Sequence, residues 1–138
     1  MSIARQKFRE IVLQILYSTI FSPEDDGIVD LMMEQIKTSK KNILSAIDYV
    51  KKIQANLDLL DTDIKNAANS YEIDRISKVE LCILRLGLYE MIYDESIPPK
   101  VAISEAIRLT KKFANYHSVS FVNAILDSVY KKNELAKK

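Results

Sequence analysis

His117 and Cys82 are the only histidine and the only cysteine of the chain, so a nucleophile–base pair would have to be built from these two. Cys82 falls in an apolar helical stretch and His117 in a loop, which argues against that pair. A small apolar core position is the more ordinary role for such a cysteine, and a lone cysteine leaves no internal disulfide framework. One histidine leaves no His-based metal site to build. Two glycines, Gly27 and Gly87, stand too far apart to cradle a phosphate. Asp25-Asp26 and Asp94-Glu95 are paired carboxylates beside expected helix ends, where solvated or capping roles are normal. Asp58, Asp61 and Asp63 lack the glycine and distal glutamate of a calcium loop. No catalytic constellation, cofactor or metal site follows.

The cations offer more. Residues 1–99 hold 12 basic and 16 acidic side chains, whereas residues 100–138 hold 8 basic and 3 acidic. A net charge of +1 thus conceals two basic ends around an acidic middle. That polarity suits a polyanion on one surface and another partner elsewhere. Ordinary solvated charge fits it equally well. Arg5, Lys7 and Arg9 crowd one short amphipathic segment. They could grip phosphates or form a solvated face with apolar stems. Lys111, Lys112, Lys131 and Lys132 supply the other end, with Phe113, Tyr116 and Phe121 near the first two. Cations next to planar rings are what a nucleic acid requires. Phe113 continues an apolar stripe and reads as core. Phe121 can be core or a platform for a base.

Helices must position these groups. Apolar residues make up 48% of the 138, and no run alternates as a strand does, which predicts one all-α domain. Ala4, Phe8, Ile11, Val12, Ile15 and Leu16 stripe a first helix from about Ile3 to Phe21. Ser22 to Gly27 breaks it, and a short helix with Ile28, Leu31, Met32 and Ile36 follows. A third helix runs from Lys40 to about Asn56, with Thr38 or Ser39 as its cap. An interruption at 57–61 precedes a fourth, about Asp61 to Ser70. Asp74 to Tyr93 centres the chain. Ser77 and Glu80 form a capping box there, and Val79 to Ile92 is apolar on nearly every side. Gly87 is costly in such a helix and fits a close approach by a neighbour. Pro98 and Pro99 end one helix and begin the next, which carries Ala102, Ala106, Leu109 and Phe113. Ser118 is the expected cap of the last helix. Its terminal lysines, Lys131 and Lys132 included, are expected to fray. Nothing reads as a signal peptide, a membrane span or a lipidation motif, so a cytoplasmic protein is expected.

Three runs carry a resemblance. They are D-R-I-S-K-V-E-L-C-I-L-R-L-G-L-Y-E-M-I-Y, then I-P-P-K-V-A-I-S-E-A-I-R-L-T-K-K-F, then S-V-S-F-V-N-A-I-L-D. Together they resemble the NusB transcription antitermination family. Leu13-Gln14 and Leu16-Tyr17 also match the family's first helix. The Arg75–Asp127 half is specific, and 27–74 is weak. The resemblance implies about seven helices in two packed subdomains, about 1–70 and 71–138, forming a single RNA-binding domain around the central helix. It implies a non-catalytic adaptor that binds boxA RNA of ribosomal RNA leaders. NusE, a small-subunit ribosomal protein, would bind with it. The pair would join RNA polymerase with other Nus factors, so that ribosomal RNA operons are read through terminators. By position, Arg5, Lys7, Arg9, Phe113 and Phe121 match RNA-binding positions, and Tyr17 and Glu80 match the NusE-facing surface. Some family members self-associate, so a homodimer is among the implied partners.

The chain also departs from the pattern. Its N-terminal basic motif is thin. Ser120 stands where a basic residue is frequent, His117 where an acid is, Ala124 where glycine is, and Ser104 where asparagine is. Fewer phosphate contacts predict weaker binding and a shallower salt slope. A related helical domain precedes the catalytic domain of some ribosomal RNA cytosine methyltransferases, where V-N-A is common. A stand-alone factor is the simpler expectation. The alternative function is a helical protein-interaction domain with weakened or lost RNA binding.

Overall fold

The computed structural model describes residues 4–21, 38–68 and 75–137. Those residues form six helices and no strand: α1 (Arg5–Phe21), α2 (Lys40–Ala55), α3 (Leu57–Ala68), α4 (Lys78–Ile92), α5 (Pro99–Phe113) and α6 (His117–Ala136). The expected turn at 22–27, the helix around Ile28–Ile36 and the loop at 71–74 lie outside the described residues.

The chain divides into two compact units, Met1–Ala55 and Asn56–Lys138. The subdomains that the resemblance implies meet near residue 70. Only Asn56 separates α2 from α3, so the interruption expected over 57–61 is instead helical, and α3 begins at Leu57 rather than near Asp61. From there Leu60, Ile64 and Ala68 put a buried stripe on α3, which packs on α4 and α6. This packing assigns α3 to the second unit.

In the first unit α1 packs on α2. Ile43, Ala46, Val50 and Ile53 are the buried stripe of α2, spaced for one helical face. Phe8 meets Tyr49 edge to face, with ring centroids 5.8 Å apart. The Ser39 hydroxyl accepts from the Asn42 amide at 3.2 Å, so Ser39 is the cap of α2. On α1 burial passes beyond the expected stripe to Arg9, Glu10 and Leu13.

The second unit is built around α4, which packs against α3, α5 and α6. Cys82, Ile83, Leu84, Leu86, Gly87, Leu88, Tyr89, Glu90 and Met91 are all buried, as a helix apolar all round requires. Gly87 permits a close approach by α5 and α6. A Cβ there would meet the Ala106 Cβ at 3.3 Å and the Leu126 methyls at 3.4 and 3.5 Å. The Arg85 guanidinium donates to both Asp61 oxygens, at 2.9 and 2.8 Å, tying α4 to α3.

Local chemistry sets the ends of these helices. The Ser77 hydroxyl accepts from the Glu80 amide at 3.2 Å, and the Glu80 carboxylate accepts from the Ser77 amide at 3.3 Å. We expect Ser77→Ala to cost about 1 kcal/mol of the second unit's stability, read as a lower urea midpoint at unchanged slope. Glu80→Gln keeps the box and should leave the midpoint nearly in place. The Asp94 carboxylate accepts from the Ser96 amide and hydroxyl, at 3.1 and 2.6 Å, and closes the turn before Pro98. Pro99 then occupies the first turn of α5, where a missing N–H costs nothing. The last helix departs from expectation. It begins at His117, and Asn115, not Ser118, supplies the capping oxygen. That oxygen accepts from the Ser118 amide and hydroxyl, at 3.0 and 3.2 Å. Lys131 and Lys132 do not fray: α6 continues to Ala136, and Lys131 pairs with Asp127 at 2.9 Å.

Candidate nucleic-acid interface

The first turn of α1 carries Arg5 and Lys7, both exposed, and no acidic residue. The start of a helix is the positive end of its dipole, so cations and dipole there favour an anion together. Arg5 and Lys7 are two residues apart and do not share a face. Arg9 differs from both. It is 6% exposed, beside Glu10 at 9%, so it is no open phosphate grip. Tyr17, further along α1, is 38% exposed.

In the second unit the aromatic residues gather at the α5–α6 connection. Phe113 ends α5, and Phe121 is the fifth residue of α6; both are half-buried. Half-burial is the compromise between the core and platform roles that the sequence left open. The Lys112 ammonium lies 5.6 Å from the Phe113 ring centroid, and the Lys111 ammonium 5.8 Å from that of Tyr116. Both lysines are in the last turn of α5, where cations also suit the negative end of the dipole. Tyr116, between the helices, is 75% exposed. Its composition cue was present in the sequence; its exposure was not. Glu80 stands in the capping box described above, which accounts for its carboxylate without a partner protein.

The groups weighed for catalysis take other roles. Cys82 is buried, and burial pushes its thiol up to about 11, outweighing Arg85 and Lys78 nearby. It is therefore a poor nucleophile at neutral pH. Asp61 holds Arg85. Asp63 borders a groove of about 110 Å³ with Asn66, Ala67, Ser128, Val129, Lys132 and Asn133. Burial raises its carboxyl above the usual range, and the charge of Lys132 opposes that rise. Among the described residues no cluster of His, Cys, Asp or Glu could hold a metal ion. No described helix is long and apolar enough to cross a membrane.

An anion-favouring helix start in one helical unit and a cation–aromatic turn in the other mark an all-helical protein suited to a polyanion. Comparison with known proteins gives the family. The NusB family model matches residues 6–131, and the chain belongs to that family. A transcription antitermination protein NusB from Clostridium botulinum (strain Alaska E43) is 49% identical over 133 residues, covering 93% of this chain and 98% of the relative. One from Chlamydia pneumoniae is 38% identical, covering 95% and 82%. Among solved structures, T. maritima NusB superposes with a TM-score of 0.80 at 31% identity, covering 95% of this chain and 93% of that one. A crystal structure of the antitermination factors NusB and NusE in complex with dsRNA gives 0.78 at 27% identity, covering 93% and 96%.

Proposed function

We propose that this chain works as one non-catalytic RNA-binding domain, a cytoplasmic antitermination factor that binds boxA-type leader RNA together with NusE. The pair then joins RNA polymerase and other Nus factors on ribosomal RNA operons. The observation that carries this reading is the likeness, across nearly the whole chain, to a NusB bound with NusE and dsRNA. In this reading Arg5 and Lys7 hold phosphates at the start of α1, and Phe113 and Phe121 stand beside RNA. Arg9, being buried, positions α1 and does not meet solvent-borne phosphate. Tyr17 and Glu80 face NusE, and a homodimer would be a storage form competing with RNA.

Titration of labelled boxA RNA, with and without NusE, tests the reading. Binding should tighten with NusE and weaken with salt, with log K falling by about 0.7 per phosphate contact for each decade of salt. No binding at low salt, even with NusE, would sink it. The burial of Arg9 favours a second reading, because it leaves α1 with fewer open cations: a protein-interaction domain with weakened RNA binding. NusE capture that survives nuclease, with RNA retention absent at both low and moderate salt, would select that one.

A further inference from the structure

The α5–α6 turn presents a large aromatic ring to water without an evident structural reason for it. Tyr116 is 75% exposed, more than any other aromatic residue described. Its backbone is nevertheless fixed. The Val119 amide donates to the Tyr116 carbonyl at 3.3 Å, and the Asn115 side chain holds Ser118 on the adjoining turn. Lys111 reaches over the ring, and Lys112 lies over neighbouring Phe113. No acidic residue occurs from Ile107 to Leu126. The surroundings therefore combine a pre-positioned π-face with two long-stemmed lysines laid over aromatic rings.

We propose that Tyr116 is a stacking platform for an unpaired RNA base, with Lys111 leaving the ring to meet the adjoining phosphate. This rests on the RNA-binding reading above and deepens it. Stacking on an aromatic ring tolerates any base but requires one that is not paired, because bases inside a duplex already have both faces covered. The ring thus distinguishes single-stranded RNA from duplex, a discrimination that the cations alone cannot make.

The test measures binding of labelled single-stranded boxA RNA and of its duplex form by wild type, Tyr116→Ala, Tyr116→Phe and Lys111→Gln, each with NusE present. Tyr116→Ala should weaken single-strand binding roughly 5- to 100-fold, leave the salt slope unchanged and barely affect the duplex. Tyr116→Phe should stay near wild type. Lys111→Gln should flatten the salt slope by about 0.7. The chain has no tryptophan, so Tyr116→Trp adds a unique fluorophore that a stacked base should quench. Wild-type binding with Tyr116→Ala unchanged would overturn the platform alone. Absence of wild-type binding would overturn the RNA reading and the platform with it. If Tyr116→Ala instead weakens NusE binding in RNA-free samples, the ring is a protein contact and the proposal fails.

Discussion

Leu126→Ala is expected to destabilise the second unit by about 2–5 kcal/mol, the range for deleting a fully buried leucine side chain. Leu126 has no exposed surface, and its methyls lie beside Gly87 on the central helix. Removing them takes away both their transfer free energy and the contacts that line α4 and α6. The cost lies high in the range if α4, α5 and α6 cannot close on the space. Three helices packed on one another, with α4 braced to α3 by the Arg85–Asp61 fork, resist that closure. Urea unfolding checks it: a large drop in midpoint at constant slope is expected, a loss near about 2 kcal/mol would show that the site collapses freely, and one below about 0.5 kcal/mol would show that Leu126 is not core.

Gly87→Leu should cost about 3 kcal/mol by the opposite route, overpacking. Even the first added carbon would lie 3.3 Å from the Ala106 Cβ. That methyl is attached directly to the α5 backbone and cannot rotate away. The α4–α5 spacing would have to widen, and the recovery of about 1 kcal/mol in helix propensity does not offset this. The two substitutions are neighbours and should couple. In the double variant the space vacated at position 126 accepts part of the new side chain, so the combined loss should be smaller than the sum by about 1 kcal/mol or more. Strict additivity would show that Gly87 is held against α5 alone.

Much of the second unit could be read from residue order, because its determinants are local. The Ser77–Glu80 box, the all-round apolar run after it, Pro99 at a helix start and Gly87 as a contact point each declare themselves within a few positions. What escaped depends on partners distant in the chain. The Arg85–Asp61 fork joins partners 24 residues apart, so no local pattern announces it. Arg9 read as a phosphate grip, because periodicity assigns one buried face to α1 and the structure buries more than one. Asn115 took the capping role expected of Ser118, a choice between polar residues three positions apart that spacing alone does not settle. At the candidate interface the residue types were legible as a basic and aromatic cluster. The ranking within it was not: exposure sets Tyr116 apart from Phe113 and Phe121, and exposure is a property of packed helices.

The depth at which Cys82 lies has a practical consequence for studying this protein. It is 1% exposed, and its thiol is held up to about 11, so maleimide reagents at neutral pH find almost no thiolate to attack. The chain behaves in its folded state as if it were cysteine-free. A single cysteine introduced on an exposed helix position can therefore carry one dye per molecule without first deleting the native one, and the central helix need not be disturbed to follow the protein along a transcription complex.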